Sequence, residues 1–251
     1  VAQGNTVYGW SDNNAHLVQI VGTTVKNRTA PVKTIHGLGV SSSNSRHLRI
    51  GGPGGQIHAS SDGGSLWTKQ GTSAAAAGSD YRVAFDPQDV DHAVYGRSVD
   101  GAFVTFDGGK TWTKATGLSS GSKPKANIFE LAISPADGQI VWAMGIDLTM
   151  PKTTRQIFRS SDGGRTFTPV VQESGTVPMS NGTQLWPHPK RAHQVFFAHG
   201  SKFSGGILMT YDHKTGKVTG EKNSYHGINA IAVSPADDDL LYLGLTLQNY
   251  N

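Results

Sequence analysis

The chain has no cysteine among its 251 residues, and it has only three glutamates, Glu130, Glu173 and Glu221. The lack of cysteine excludes disulfide bonds, metal sites built from thiolates and a cysteine nucleophile. Charged residues make up 16% of the chain, and a composition so poor in glutamate disfavours long amphipathic helices. No apolar run approaches the ~18 residues that a membrane-spanning helix needs. We therefore expect a chain of short strands that does not span a membrane.

Glycine, in contrast, is abundant, with 32 residues, and pairs of glycines mark three near copies of one segment. The copies read SSDGGSLW at 60–67, TFDGGKTW at 105–112 and SSDGGRTF at 160–167. Two apolar segments joined by a turn lie upstream of each copy, as in LAISPADGQIVWAMG at 131–145. Four short antiparallel strands that recur every ~50 residues are typical of a β-propeller blade. One blade cannot bury both of its faces, whereas several blades packed around an axis can.

We predict an all-β chain that forms a single propeller domain over residues 1–251, with about five four-stranded blades. Residues 35–223 hold four repeats, and the segment 225–251 holds the first two strands of another. We expect strands within 1–34 to complete that last blade and so to close the ring. The alternative is a part of a six- or seven-blade ring, because residues 1–34 hold one strand more than this closure needs.

The three copies resemble the Asp-box, or BNR, repeat, whose pattern is S-x-D-x-G-x-T-W/F. The first copy departs from the pattern at Leu66, and a fourth, TYDHKT at 210–215, has lost its glycines. The resemblance covers residues 35–246. It implies a propeller similar to those of sialidases, xyloglucan hydrolases, sortilin-type receptors and photosystem-assembly factors, of which some are enzymes and some only bind. In such proteins the boxes lie between the third and fourth strands of a blade, away from the usual binding surface.

Elementary stereochemistry gives the box a structural role as well. Glycine adopts a positive φ at low cost, and an aspartate carboxylate accepts hydrogen bonds from nearby backbone N–H groups. The aromatic residue that ends the box can pack between sheets. We therefore predict that the boxes stabilise the fold and carry no chemistry. The residues in this role are Asp62, Gly64, Trp67, Asp107, Gly109, Trp112, Asp162, Gly164, Phe167 and Asp212.

Carboxylates outside the boxes are the candidates for catalysis, since a glycoside hydrolase needs two of them flanking the scissile bond. Asp80, Asp147 and Glu173 fall in loops that we expect on the face opposite the boxes, and Glu130 begins an innermost strand. The simpler interpretation is that these are solvated acids. The histidines are scattered and the acidic turn 237–239 resembles an ordinary exposed turn, so we predict no metal and no cofactor.

The loops expected on the face opposite the boxes are long, irregular and mildly basic. Such a rim suits the binding of a protein or a glycan, although variable solvated loops are the alternative. The candidate binding residues are Tyr81, Lys123, Lys125, Met150, Lys152, Arg155, Lys202 and Phe203.

These observations favour an extracytoplasmic propeller, secreted or periplasmic, that binds or scaffolds a protein through this loop face. A glycoside hydrolase and a carbohydrate-binding lectin with shallow sites between blades are the alternatives. The formal charge of +4 is mild and the basic residues form no stripe, so we expect no nucleic-acid partner. We expect a monomer.

Overall fold

A computed structural model describes residues 2–11, 16–71, 80–120, 125–179, 184–200, 206–223 and 227–246. These residues form 22 β-strands, one three-residue 3₁₀-helix and no longer helix. The strands form five four-stranded sheets and one two-stranded sheet, and each sheet contains antiparallel strands in chain order. This architecture confirms the predicted all-β class. We number the sheets as blades 1 to 6.

The first three blades cover the N-terminal half of the chain. Blade 1 contains β1 (Ala2–Gln3), β2 (Thr6–Ser11), β3 (His16–Val21) and β4 (Thr24–Thr29). Blade 2 contains β5 (Gly37–Val40), β6 (Leu48–Gly51), the 3₁₀-helix Pro53–Gly55, β7 (Ile57–Ser60) and β8 (Thr68–Lys69). Blade 3 contains β9 (Asp80–Phe85), β10 (Ala93–Arg97), β11 (Gly101–Thr105) and β12 (Thr113–Lys114).

The remaining blades cover the C-terminal half. Blade 4 contains β13 (Ala126–Ser134), β14 (Asp137–Asp147), β15 (Arg155–Ser160) and β16 (Thr168–Gln172). Blade 5 contains β17 (Leu185–Pro187), β18 (Gln194–Gly200), β19 (Gly206–Asp212) and β20 (Lys217–Asn223). Blade 6 contains β21 (Gly227–Val233) and β22 (Leu241–Thr246).

The two ends of the chain form separate sheets within the described residues. The strands of blade 1 pair with one another, and β21 pairs with β22. The closure of the ring by residues 1–34 with 225–251 stays a prediction, and so does the number of blades in the complete ring.

The hydrophobic core lies between blades, which is what sheets with two apolar faces require. Each of five clusters joins one blade to the next. The clusters contain Tyr8 with Leu48, Ile57 with Tyr95, Val94 with Phe158, Trp142 with Phe197, and Phe196 with Ile228. The first strands of blades 2 to 5 neighbour one another, which makes them the innermost strands.

The Asp-box turns connect the third and fourth strands of their blades and share one hydrogen-bond pattern. In blade 3, the hydroxyl of Thr105 donates to Oδ1 of Asp107 (2.8 Å) and accepts from the N–H of Gly109 (2.9 Å). The N–H and hydroxyl of Thr111 donate to the Asp107 carboxylate at 2.9 and 2.6 Å. Burial works to raise the pKa of Asp107, but these hydrogen bonds outweigh it and lower the pKa to about 2. The box is therefore a turn held by an ionised carboxylate.

The second glycine of a box lies against the preceding blade. A Cβ on Gly109 would lie 2.9 Å from Cδ1 of Ile57, and a Cβ on Gly164 would lie 3.0 Å from Cγ2 of Val94. Both glycines also have positive φ values, 88° and 94°. Only glycine combines this backbone conformation with so close an approach, so the glycine pair fits the turn to its neighbouring blade.

A histidine adds a second contact between blades 3 and 4. Nε2 of His92 donates to the carbonyl of Gly163 at 2.8 Å, and its Nδ1 lies 3.2 Å from Oδ2 of Asp86. The imidazole stacks on Phe106 with the ring centroids 4.6 Å apart, and the guanidinium of Arg165 lies 3.9 Å from the centroid of Phe106. These contacts attach the third box to the blade before it.

The turns of the blades lie on two faces. The box turns contact the turns between first and second strands, as where the N–H of Gly108 donates to the carbonyl of Asp91 at 2.9 Å. We name this side the box face. The opposite side, the loop face, carries the connections between second and third strands and between blades. Its described segments are 52–56, 98–100, 115–120, 148–154 and 173–179.

Replacing Asp107 by asparagine removes the charge that the turn holds, and we expect the free energy of unfolding to fall by ~1 kcal/mol at neutral pH. Because the folded-state pKa of about 2 lies below the unfolded value of 3.8, the difference from the wild type should shrink below about pH 4 and vanish near pH 2. Urea denaturation across this range measures it. Asp89→Asn, in an exposed turn of the same face, is the control, and an equal loss in both variants would contradict the account.

Gly164→Ala should destabilise the protein by ~1–3 kcal/mol, because the methyl group meets Val94 and alanine disfavours the positive φ. Gly175→Ala is the matched control, since no heavy atom lies within 4 Å of a Cβ built there. Thermal and urea denaturation of both variants provide the comparison. Equal stability of the two variants would show that the glycine pair does not fix the contact between blades.

Candidate functional site

A cavity that contains the predicted site residues Asp147 and Met150 lies between blades 3 and 4 at the loop face. Its volume is about 630 Å³. One wall is the linker that follows β12, and the other is the surface of β15 and β16. The lining residues are Gly117, Ser119, Ser120, Asp147, Met150, Gln156, Phe158, Phe167, Pro169, Val170, Val171 and Gln172.

A second cavity of about 370 Å³ adjoins the first, and the two share Gly117 and Ser119. Leu118, Ala115 and Ala126 give it an apolar lining. We name the two cavities together the blade 3–4 cleft. The linker 115–120 contributes lining residues to both compartments.

Backbone pairing fixes the linker in this position. The N–H of Thr116 donates to the carbonyl of Arg165, and the N–H of Phe167 donates to the carbonyl of Thr116, both at 2.9 Å. The next residue, Gly117, lies so close to the carbonyl of Phe167 that a Cβ there would be 1.9 Å from its oxygen. The third Asp-box therefore positions the linker that forms the wall of the cleft.

Asp147, one of the predicted carboxylates, lies in the cleft but its oxygens are occupied. Oδ2 accepts from the N–H (2.8 Å) and hydroxyl (2.9 Å) of Ser120, and Oδ1 accepts from the N–H (2.8 Å) and hydroxyl (2.6 Å) of Thr149. Burial works to raise the pKa of Asp147, but the hydrogen bonds from Thr149 and Ser120 outweigh it and lower the pKa. An ionised carboxylate with four donors joins two loops and holds no proton for an acid catalyst.

Glu173 and Arg155 lie together beside the cleft. The Glu173 carboxylate accepts from the backbone N–H groups of Arg155 and Met179, each at 3.2 Å. The Arg155 guanidinium donates to the carbonyl of Met179 at 2.7 Å and lies 5.6 Å from the ring centroid of Phe129. Because successive side chains of a strand point to opposite faces, Arg155 lies on the side of β15 away from the cleft residue Gln156. The pair connects β15 to the segment 173–179.

Glu130 lies on the innermost strand β13, where its carboxylate accepts from Nε of Arg82 at 3.2 Å. The exposed fractions of the two side chains are 11% and 35%. The ion pair therefore joins the innermost strands of blades 3 and 4. Asp80 and Tyr81 begin β9, and their side chains lie outside the described residues.

The remaining predicted binding residues divide into those close to the cleft and those outside the described residues. Met150 lines the cleft, and its sulfur lies 3.3 Å from Nε2 of Gln156. Lys125 and Lys152 are exposed and lie next to lining residues in the sequence, since Lys125 precedes Ala126 and Lys152 follows Met150 by two positions; we call these two positions the rim. Three further candidates, Lys123, Lys202 and Phe203, lie outside the described residues.

Sequence reasoning missed the polar residues of the cleft, Ser119, Gln156 and Gln172. No pattern marks them, because a serine or glutamine becomes a lining residue only when a neighbouring blade covers it. The described residues contain no group of three metal-ligating side chains. The acidic turn is paired instead, with Lys190 to Asp238 and Arg191 to Asp239, both at 2.6 Å. No helix in the described part of the chain has the length and hydrophobicity to cross a lipid bilayer.

Asp147→Ala should leave the donors of Ser120 and Thr149 without an acceptor and lower the free energy of unfolding by ~2 kcal/mol. The released loop 148–154 should also be cut faster by trypsin after Lys152, which limited proteolysis with mass spectrometry measures. Asp137→Ala, which removes an acceptor for the single N–H of Gln139 on the box face, is the control. Unchanged stability and an unchanged cut at Lys152 would contradict the role given to Asp147.

Comparison with known proteins agrees with this architecture. The sequence profile of the Sortilin-Vps10 family, described as sortilin, neurotensin receptor 3, matches residues 55–202, more than half of the chain. The chain is 40% identical over 250 residues to the dispase autolysis-inducing protein of Streptomyces mobaraensis, and this match covers 96% of the chain and 67% of that protein.

Solved propellers share the fold at low identity. An ancestral GH74 enzyme superposes with a TM-score of 0.61 at 14% identity over 99% of the chain, which spans only 36% of that enzyme. The propeller domain of Cps50 (Swd1) from Myceliophteria thermophila gives 0.62 at 11% identity over 96% of the chain and 76% of its own. TolB from Acinetobacter baumannii gives 0.55 at 13% over 92% of the chain and 55% of its own.

These structures confirm the predicted β-propeller fold. Their sequence identities of 11–14% are too low to indicate a shared activity. The family match and the curated relative cover most of the chain and include its Asp-boxes. The chain is a β-propeller that belongs to the Sortilin-Vps10 family.

Proposed function

We propose that this chain is an extracytoplasmic propeller that binds another protein through its loop face, and that dispase is such a partner. One observation carries the proposal: the relative that is 40% identical over 96% of the chain is named for an effect on another protein, the autolysis of dispase. Similarity at this level over nearly the whole chain favours a shared kind of partner. The same likeness supports secretion, and we propose that the chain acts as a monomer.

The chemistry of the described carboxylates supports binding over hydrolysis. A glycoside hydrolase needs one carboxyl group that keeps its proton and a second one free to act on the substrate. Asp147 has a lowered pKa and four donors, and Glu173 accepts from two backbone N–H groups. Glu130 is paired with Arg82. Each of the three stabilises a contact between loops or strands.

The distribution of charge supports the loop face as the binding surface. Three cations at the box face are paired across blades, namely Arg49 with Asp91 at 2.7 Å, Lys190 with Asp238 and Arg191 with Asp239. Lys125 and Lys152 at the loop face are exposed and have no ion-pair partner among the described residues. Unpaired cations around an opening attract an acidic surface and accelerate encounter with it. The loop face therefore offers exposed lysines that no carboxylate among the described residues neutralises.

The test uses dispase directly. Dispase is incubated with the purified protein or, as the blank, with albumin, and the amount of intact dispase is followed by gel electrophoresis. A parallel assay measures whether the protein releases sugar from xyloglucan and other glycans. We expect dispase to disappear severalfold faster with the protein than with albumin. Lys125→Glu/Lys152→Glu should slow this loss because it reverses the rim charge.

The control Lys110→Glu/Lys214→Glu makes the same change of charge at exposed lysines of the box face and should behave as the wild type. Release of sugar, or no acceleration of dispase loss by the wild type, would contradict the proposal. An equal effect of the two double variants would contradict the assignment to the loop face.

A further inference from the structure

We infer that the blade 3–4 cleft is the binding site on the loop face and that it takes an extended segment of the partner's chain, with an apolar side chain flanked by acidic residues. The inference rests on the proposed function and specifies where and what the propeller binds. It is carried by the shape of the cleft, its unsatisfied polar groups, its buried aromatic rings and its rim charges.

The cleft has the size and the backbone needed for a peptide. Its compartments of about 630 and 370 Å³ fall in the range of ligand pockets, and residues Gly117 and Ser119 of the linker 115–120 line both of them. One wall is β16, which is the last strand of its sheet and pairs only with β15. The outer edge of such a strand carries backbone groups that an added extended segment can pair with. The apolar residues Val170 and Val171 lie on this wall.

Two polar side chains of the cleft, Ser119 and Gln156, are poorly satisfied by the protein itself. The Ser119 hydroxyl is buried and has no hydrogen-bond partner among the described residues. Gln156 is 5% exposed, and its amide donates to the sulfur of Met150 at 3.3 Å, although a thioether is a weak acceptor. Buried polar groups are normally hydrogen-bonded, and the amide N–H and C=O groups of a peptide would supply the missing partners.

The aromatic residues of the cleft do not offer the surface that a sugar needs. Phe158 and Phe167 line it, but each is only 1% exposed because both rings pack in the core between blades 3 and 4. A sugar site presents an exposed ring face on which the pyranose can lie. The lining of the cleft therefore favours a peptide as the ligand. It disfavours a glycan, which a lectin with sites between blades would bind.

Lysines define the chemistry expected at the ends of the segment. Lys152 follows Met150 of the larger compartment by two residues, Lys125 precedes Ala126 of the smaller one, and Lys114 lines the smaller one. All three are exposed and have no ion-pair partner within the described residues. The acids of the cleft do not compensate for them, since Asp147 is saturated by donors and Asp100 is paired with Arg97 at 2.6 Å.

A strained residue lies beside the smaller compartment. Val99 has a φ of 69°, which a β-branched residue rarely adopts, and its side chain is 44% exposed. The backbone N–H of Val99 donates to Oδ1 of Asn127 in blade 4 at 2.8 Å. The carbonyl of Val99 accepts from the N–H of Ala126, which lines the cleft. Strain of this kind is retained where the surroundings enforce it, often at binding sites, and here it presents an apolar side chain next to the groove.

The experiment selects peptides from a phage-displayed library of random 12-residue sequences on the wild-type protein. We expect enrichment of sequences with an apolar residue flanked by aspartate or glutamate. Gln172→Trp places a bulky ring at an exposed position of β16 that lines the larger compartment, and it should weaken binding of the selected peptides about tenfold or more in fluorescence anisotropy. Circular dichroism and thermal unfolding check that this variant is folded.

Charge variants provide the matched pair. Lys125→Glu/Lys152→Glu should weaken the selected peptides, whereas Lys110→Glu/Lys214→Glu on the box face should not. Three results would each overturn the inference. The first is that no peptide is selected, and the second is that folded Gln172→Trp still binds the selected peptides. The third is that the wild type binds a glycan array and Gln172→Trp abolishes that binding. If no peptide is selected while the wild type still accelerates dispase loss, only this inference fails. If the wild type leaves dispase intact, the proposed function fails whatever the peptides show.

Discussion

The contact between the second glycine of an Asp-box and the preceding blade is the constraint on which the rest of the structure depends. Gly109 lies against Ile57 and Gly164 against Val94, each so closely that an added Cβ would force the neighbouring side chain to shift. The hydroxyl and carboxylate of the same turn hold these glycines at positive φ, so one short segment sets both the hairpin and the spacing between blades. The box aspartates are occupied by this role, which leaves the opposite face for binding.

The boxes could be predicted from the sequence because nearly all of their interactions are local. The donors to Asp107 lie within four residues of it, so the eight-residue pattern contains the turn completely. The recurrence of the same strand pattern every ~50 residues likewise predicts four-stranded antiparallel blades. What the pattern does not contain is the contact of each glycine with an aliphatic residue of the preceding blade, which is Ile57 for Gly109 and Val94 for Gly164.

The cleft could not be predicted in the same way, because its residues meet only after the blades assemble. The sequence marks Asp147 only as a carboxylate in a loop, whereas the role of Asp147 depends on Ser120, which lies 27 residues away. Ser119 and Gln156 carry no signal, since their importance comes from burial without a good partner. Lys125 and Lys152 lie in irregular basic loops of the sequence, and the structure shows both side chains exposed; their role in binding stays a prediction.

The central claim is that the box face stabilises the fold while the loop face binds a protein. Hydrogen–deuterium exchange of the protein with and without dispase, in a brief incubation in the cold, tests it most directly. The account predicts that dispase slows exchange in the linker 116–120 and in β16 and leaves the box turns 105–112 and 160–167 unchanged. Slower exchange in the box turns, with none in the linker or β16, would contradict it.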